Sequence, residues 1–159
     1  MSDWKAQLAA WKVAGEQVVF TNGVFDILHV GHVDYLTKAR ALGDRLVLGL
    51  NSDASVRRLN KGPERPVNPE AARKQVLEAL RCVDLVVVFD TDTPLPLILE
   101  VKPDVLVKGG DYDPEETDAS KKTYLVGSQE VRTWGGRAQI IALVDGFSTT
   151  NILEKLKKG

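Results

Sequence analysis

Five short runs rich in valine, isoleucine and leucine recur along the chain, and segments with helical spacing of apolar residues separate them. The runs fall at residues 17–20, 46–50, 83–89, 104–107 and 138–143. They are mostly continuous rather than alternating, which is typical of strands buried on both faces of a parallel sheet. Because helical segments lie between successive runs, the sequence predicts a doubly wound α/β fold with a five-stranded parallel sheet.

The intervening segments carry the signals expected of helices. We predict helices over residues 4–14, 32–42, 69–80, 95–101, 128–134 and 149–156. Pro69 suits the first turn of its helix, and Ser148 is a suitable N-cap for the last one. Trp4 and Trp11 lie on one face of the first helix, which we expect to pack on the body of the protein or on a second subunit. The length predicts one domain, 1–159, in which an N-terminal helix (1–15) precedes an α/β core (16–159).

The composition excludes several classes of protein. The 159 residues include 21 basic and 22 acidic side chains, so the net charge of −1 lacks the basic excess of a typical nucleic-acid-binding protein. One cysteine, Cys82, cannot form an internal disulfide, and the sequence has no CxxC metal motif. The N-terminus does not resemble a signal peptide, and every apolar run is far shorter than the ~20 residues of a membrane span. We therefore expect a cytoplasmic protein that binds neither nucleic acid nor membrane.

In doubly wound sheets, ligands bind beyond the carboxyl ends of the strands, so the segment after the first strand is a candidate site. It reads TNGVFDILHVGH (residues 21–32) and contains both histidines of the chain, His29 and His32. It is neither a GxGxxG dinucleotide motif nor a Walker A motif. Backbone N–H groups at the following helix start favour an anion, and Gly31 lets a phosphate approach closely. We predict a phosphate site; a structural role or a metal site is the alternative, although zinc would need a third ligand.

Two further segments carry candidate phosphate ligands. Residues 146–150 (GFSTT) place hydroxyl groups at a helix start, which indicates either a second anion cradle or a plain N-cap. Residues 60–66 (NKGPERP) form a loop rich in glycine and proline at the expected mouth of the site. We interpret this loop as a lid whose basic residues, Lys61 among them, either hold phosphate or are simply solvated.

The segment after the fourth strand, VKGGDY (residues 107–112), combines flexible glycines with opposite charges on Lys108 and Asp111. This pattern indicates either a close approach to a substrate or a tight turn with exposed charges. Arg81 lies at the end of the helix that precedes the third strand, where a cation also suits the helix dipole.

Residues 21–32 resemble the TxGxFDxxHxGH signature of the HxGH nucleotidyltransferase superfamily, a long and position-specific motif. Residues 146–150 are similar to the ISTT element of that superfamily, with Phe147 in place of isoleucine. The strings KGGDY, NKGPERPV, LEALRCVDLVVVF and GFSTTNILEKL resemble the heptose 1-phosphate adenylyltransferases in particular. Leu143 and Val144 stand where glycerol-phosphate cytidylyltransferases carry an Arg-Thr pair, which disfavours the cytidylyl reaction. The likeness extends over residues 18–156 and implies a Rossmann-like fold.

The resemblance implies adenylyl transfer from ATP, with Mg²⁺, to D-glycero-D-manno-heptose 1-phosphate, which gives ADP-heptose and pyrophosphate for lipopolysaccharide core or surface glycans. It implies that His29, His32 and Lys61 contact the triphosphate and stabilise charge as pyrophosphate leaves. The residues that it implies for binding nucleotide and substrate are Thr21, Asn22, Gly23, Phe25, Asp26, Gly31, Arg81, Lys108, Gly109, Asp111, Ser148, Thr149 and Thr150. Asp26 would order the loop or the metal and substrate groups, whereas Lys108 and Asp111 would face the sugar phosphate or the adenosine.

In that family the domain is often fused to a sugar kinase of the ribokinase type, and the helix with Trp4 and Trp11 favours the stand-alone form here. The resemblance also implies a homodimer or a higher homo-oligomer. Two alternatives remain open. One is a nucleotidyltransferase that uses another phosphorylated acceptor, such as glycerol 3-phosphate with CTP, and the other is a non-catalytic nucleotide sensor. The intact histidine pair and the intact hydroxyls of residues 148–150 argue against the sensor.

Overall fold

A computed structural model describes residues 3–159 and shows a five-stranded sheet in which each pair of neighbouring strands is parallel. The strands are β1 (Val18–Gly23), β2 (Arg45–Asn51), β3 (Leu85–Phe89), β4 (Val105–Gly109) and β5 (Arg137–Ile141). Their order in the sheet is β3-β2-β1-β4-β5, so the chain builds outward from β1 to β3 and then crosses to β4 on the other side of β1. This order confirms the predicted Rossmann-like parallel sheet.

Within residues 3–159, seven helices surround the sheet. They are α1 (Trp4–Val13), α2 (Val30–Arg40), α3 (Asp53–Arg58), α4 (Glu70–Glu78), α5 (Leu95–Val101), α6 (Ser128–Thr133) and α7 (Thr149–Lys158). Residues of α1, α5 and α6 pack in the core cluster on one face of the sheet, and residues of α2 and α4 pack in the cluster on the other face. Helices therefore cover both faces, as the doubly wound prediction requires. None of the helices in this part of the chain is long and apolar enough to cross a membrane.

The strands supply both core clusters because successive side chains of a strand point to opposite faces. Val18 and Phe20 of β1 pack with α1 and α5, whereas Val19 between them packs with α2. All three are fully buried. Trp11 is also buried in the first cluster, and Trp4 packs against it. The first helix therefore packs on the body of the protein, which was one of its two predicted positions.

The observed bounds of most elements differ slightly from the prediction, and the differences at β1 and α2 bear on the site. Strand β1 continues to Gly23, three residues beyond its predicted end, because its polar end pairs in register with β2. Helix α2 begins at Val30, two residues earlier than predicted, because His29 supplies the N-cap. The short helix α3 was not predicted; Ser52 caps it by accepting a hydrogen bond from the Ser55 N–H.

Candidate active site

An open cavity of about 350 Å³ lies at the carboxyl ends of β1 and β4, which is the switch point of the sheet. Ligands of doubly wound proteins bind at this place because the helix-leading loops diverge on either side of it. Five segments form its wall. They are the connection segment, which comprises the end of β1 and the loop to α2 (residues 22–29), the first two turns of α2, the lid loop (residues 60–66), the end of β4, and residues 143–150.

The connection segment is fixed by donors from four other parts of the chain. Lys108 Nζ donates to Asn22 O (2.9 Å), Arg73 Nη1 to Val24 O (2.8 Å), Arg65 Nε to Asp26 Oδ2 (2.8 Å) and Thr149 Oγ1 to Ile27 O (3.2 Å). These donors come from β4, α4, the lid loop and α7. The segment that leads to both histidines is thus held by hydrogen bonds from four separate elements.

The two histidines cap the start of α2 reciprocally. His29 Nδ1 accepts a hydrogen bond from the Gly31 N–H (3.1 Å), and His32 Nδ1 accepts one from the His29 N–H (3.3 Å). The two rings are stacked with centroids 3.8 Å apart. Because each Nδ1 is an acceptor, a neutral ring carries its proton on Nε2. Both side chains line the cavity, and in this tautomer each of the two rings carries one N–H donor.

Burial and mutual repulsion favour the neutral form of both histidines near pH 7. Burial lowers the pKa of His29, and burial together with the neighbouring His29 lowers the pKa of His32 to about 4. Two imidazolium ions stacked this closely would repel each other, which opposes protonation of the pair. His29 Nε2 is buried and has no hydrogen-bond partner among the described residues. A buried donor without a partner is costly, so this N–H is poised for an acceptor on a ligand.

Two helix N-termini meet at the cavity. The hydroxyl of Thr149, the first residue of α7, donates to Ile27 O just before α2. The Phe147 and His29 rings are stacked, with their centroids 6.3 Å apart. Ser148 caps α7 by accepting from the Asn151 N–H (3.0 Å). The two helix dipoles favour a negatively charged ligand between them. Ser148 is therefore an N-cap that also lines the cavity, and its part in an anion cradle stays a prediction.

Three cations stand at the cavity wall, namely Lys61, Arg65 and Lys108. Burial, with Lys61 as a like-charged neighbour, lowers the pKa of Lys108 to about 8. Desolvation, with Arg65 nearby, also lowers the pKa of Lys61. No aspartate or glutamate among residues 3–159 lines the cavity. The wall therefore combines neutral N–H donors and cations, which suits a polyanionic ligand.

Asp26 is buried behind this wall and holds the lid loop. Its carboxylate accepts from Arg65 Nε (2.8 Å) and from the backbone N–H groups of Val67 and Asn68. With so many donors already bound, its oxygens have little capacity left for a metal ion. Of the two roles that the resemblance implied, the geometry fits loop ordering. Within the described part of the chain, no three metal-binding side chains cluster.

The structure brings most of the predicted site residues to one cavity. Those at its wall are Asn22, Gly23, Phe25, His29, Gly31, His32, Lys61, Lys108, Gly109, Ser148, Thr149 and Thr150. Thr21 lies behind the wall, where its hydroxyl is hydrogen-bonded to the Tyr35 hydroxyl (2.6 Å). Asp111 is exposed and is not part of the wall.

Arg81 is the one predicted site residue that the fold places far away. It lies between α4 and β3, at the amino end of that strand, whereas the cavity is at the carboxyl ends. A strand of five residues spans about 17 Å, which is longer than an arginine side chain. The assignment of Arg81 to the nucleotide of its own chain's cavity is therefore corrected, and the side chain is exposed.

Sequence reasoning did not single out Arg65, Tyr35 or Arg73. Arg65 lines the cavity although only 5% of its side chain is exposed, and Tyr35 forms part of the wall beside Gly109. Arg73 is buried and joins α4 to the connection segment. An arginine inside the predicted lid was a visible signal for Arg65, but its partner Asp26 lies 39 residues away in sequence.

A site of this kind, on a sheet of this topology, is that of a nucleotidyltransferase, an enzyme that takes a nucleotide as substrate. The family comparison agrees with the geometry. The model of the cytidylyltransferase-like family matches residues 20–155, and the chain belongs to that family.

Curated relatives and solved structures resemble the chain to different extents. The Bifunctional protein HldE of Geotalea uraniireducens is 58% identical over 154 residues, and that of Syntrophotalea carbinolica is 61% identical over 142 residues. These alignments cover 97% and 89% of this chain, but only 30% and 27% of the relatives. The chain thus spans less than a third of the length of these relatives.

Among solved structures, the lipopolysaccharide core biosynthesis protein from Thermoplasma volcanium is 29% identical with a TM-score of 0.62. The match covers 82% of this chain and 98% of that one. Pantothenate synthetase from Thermus thermophilus has a TM-score of 0.57 at 19% identity, covering 95% of this chain and 68% of that one, and shows the shared fold alone.

Proposed function

We propose that the protein transfers the adenylyl group of ATP to D-glycero-D-manno-heptose 1-phosphate, giving ADP-heptose and pyrophosphate. The observation that carries the proposal is the neutral histidine pair between two helix N-termini, since this arrangement combines two imidazole N–H donors with two helix dipoles that favour a triphosphate. The reaction needs ATP and is therefore placed in the cytoplasm, where it would supply lipopolysaccharide core or surface-glycan synthesis.

Three observations favour a heptose phosphate as acceptor. The strings after β4, in the lid loop and before α7 resemble heptose 1-phosphate adenylyltransferases. A structural neighbour is described as a lipopolysaccharide core biosynthesis protein. The curated relatives are described as bifunctional, which is consistent with this chain corresponding to one of their two activities.

The proposed reaction is an in-line displacement. An oxygen of the sugar phosphate attacks the α-phosphorus of ATP, the new P–O bond forms, and the bond to the bridging oxygen of the β-phosphate breaks. A phosphate monoester is already ionised near neutral pH, so the reaction needs no strong general base. Catalysis then consists of positioning and charge stabilisation.

The proposed role of each residue follows from the part of the substrates that it contacts. We assign four groups to the triphosphate and to the negative charge that develops on the departing pyrophosphate. They are the Nε2–H groups of His29 and His32, the Lys61 ammonium and the start of α7 at residues 148–149. The neutral state of the histidines fits this role, because a hydrogen-bond donor that stays neutral near pH 7 stabilises charge without exchanging protons. ATP is expected to bind as its Mg²⁺ complex, with the ion held by phosphate oxygens and water.

The test is pyrophosphate release by the purified protein with Mg²⁺, crossing ATP and CTP with heptose 1-phosphate of both anomers and with glycerol 3-phosphate. We expect release with ATP and one heptose 1-phosphate anomer. Release with CTP and glycerol 3-phosphate would overturn the acceptor and the base while preserving the site. Binding of ATP without release in any combination would instead support the nucleotide sensor.

A further inference from the structure

We infer that Phe147 is a positioning residue for His29: its ring packs on the imidazole and holds the Nε2–H donor in the orientation that the transition state requires. This inference rests on the proposed function, and the experiments below separate the failure of one from the failure of the other. Phe147 is half-exposed and lines the cavity, yet the proposed mechanism gives it no part.

Four aromatic rings follow one another at the cavity wall. The centroids of Phe147 and His29 are 6.3 Å apart, those of His29 and His32 are 3.8 Å apart, and those of His32 and Phe25 are 5.2 Å apart. Aromatic pairs with centroids roughly 4.5–7 Å apart are typically favourable. Each histidine therefore has one phenylalanine neighbour, and the histidine pair forms the middle of a row of four rings.

The two ends of this row are held differently. Phe25 is buried and contacts His32, whose backbone belongs to α2. His29 precedes the helix as its N-cap, and its ring is anchored by one hydrogen bond, from the Gly31 N–H to Nδ1. A ring held at one nitrogen can still tilt about that bond, and its Nε2 has no partner among the described residues. Contact with the neighbouring rings of His32 and Phe147 restricts this tilt.

The backbone beside Phe147 is itself tied to the histidine segment. Two residues further on, Thr149 Oγ1 donates to Ile27 O (3.2 Å), which lies two residues before His29. Gly31 permits the close approach, since a Cβ there would lie 2.9 Å from the His29 ring and 3.3 Å from the Phe147 Cβ. The start of α7 is thus joined to the histidine segment by one hydrogen bond and one ring contact.

The first experiment separates the ring of Phe147 from its bulk. Phe147→Leu keeps an apolar side chain but no planar face, whereas Phe147→Tyr keeps the ring. We expect Phe147→Leu to lower kcat for pyrophosphate release about 2- to 12-fold, the factor that corresponds to one aromatic pair, with the KM for ATP almost unchanged. Phe147→Tyr should retain most of kcat. Leu156→Ala, at an exposed apolar residue of the same helix outside the cavity wall, is the matched control.

A double-mutant cycle tests whether Phe147 acts through His29. If it does, Phe147→Leu should have no further effect on kcat in the His29→Asn background, because the donor that it positions is already absent. A side chain that only supports the fold would lower kcat by the same factor in both backgrounds.

The second experiment needs no substrate. The chain contains only two histidines, so the imidazole signals in an NMR spectrum of the ¹⁵N-labelled protein can be assigned with His29→Asn. We expect one sharp set of His29 ring signals in the wild type and in Phe147→Tyr. In Phe147→Leu these signals should be broadened or averaged by exchange between ring orientations, whereas those of His32 stay sharp.

Three results would overturn the positioning role. They are a wild-type kcat in Phe147→Leu, an equal loss of kcat in the His29→Asn background, and a raised KM for ATP at unchanged kcat, which would indicate direct contact with the nucleotide.

The positioning role and the proposed function fail in different ways. If the wild type releases pyrophosphate with heptose 1-phosphate and Phe147→Leu keeps its kcat, the function stands and the positioning role is removed. If the wild type is silent with heptose 1-phosphate but Phe147→Leu still broadens the His29 signals, the proposed acceptor is removed and the positioning role stands. Sharp His29 signals in Phe147→Leu would remove the positioning role even without turnover.

Discussion

The histidine pair gives a prediction in which stability and turnover separate at one position. Two atoms of His29 are in different situations. Nδ1 accepts from the Gly31 N–H at the start of α2. Nε2 is buried without a partner among the described residues, in a side chain that lines the cavity. Asparagine is a good N-cap and places an oxygen where Nδ1 accepts, but it provides no donor at the position of Nε2. His29→Asn should therefore retain the helix start and lose the donor that we propose acts on the transition state.

The magnitudes follow from these two losses. Loss of one donor to the transition state costs about 10²–10³ in kcat, so His29→Asn and His29→Ala should both fall by this factor. Loss of the N-cap costs about 1 kcal/mol, so His29→Ala alone should lower the free energy of unfolding by this amount. Pyrophosphate release at saturating substrate measures kcat, and urea unfolding measures stability. Val30→Ala, at an exposed neighbour outside the cavity wall, is the control.

Two results would refute this reasoning. A wild-type kcat in His29→Asn would show that the Nε2–H of the imidazole does not act on the transition state. Equal destabilisation by asparagine and alanine would show that the Nδ1 hydrogen bond does not cap the helix. The two measurements are independent, so kcat tests the role of Nε2–H and urea unfolding tests the role of Nδ1.

Further predictions concern the same wall. In Gly31→Ala, the new Cβ would lie 2.9 Å from the His29 ring, so kcat should fall about 10- to 100-fold through misplacement, while urea unfolding changes by less than about 1 kcal/mol. Asp26→Ala leaves the buried Arg65 unpaired and should lower the free energy of unfolding by about 3–5 kcal/mol, measured in urea. The pKa of His32 is about 4 in the folded protein and near 6.5 in the unfolded chain, so the unfolded state binds more protons between these pH values. The free energy of unfolding should therefore fall as the pH is lowered from 6.5 towards 4. The fall should be less steep in His32→Gln.

Strands were more predictable from the sequence than the ends of elements. The buried runs mark the strands because both faces of the sheet are covered, so almost every side chain in them is apolar. The polar end of β1 was missed, since Thr21 and Asn22 are held in the strand by pairing with β2 rather than by their own propensity. Helix α3 was missed for a related reason: it is six residues long and depends on its Ser52 cap.

The site was predictable as far as it is local in sequence. The motif of residues 21–32 and the start of α7 each form a helix N-terminus, so their chemistry could be inferred from neighbouring residues. Positions whose contacts depend on elements far away in the sequence were harder to predict. Arg81 was assigned to the site although it lies at the amino end of β3, away from the cavity. Arg65 was overlooked because its partner Asp26 is 39 residues away in the sequence.

The connection segment after β1 also bears on how this protein can change. Because donors from four separate parts of the chain bind its backbone and its carboxylate, inserting or deleting one residue there would disrupt all of these interactions together. Leu143 and Val144 line the same cavity without donating to that segment, and Leu143 is about half exposed. Acceptance of new substrates is therefore expected to evolve, and to be engineered, through these apolar positions while the histidine segment keeps its spacing.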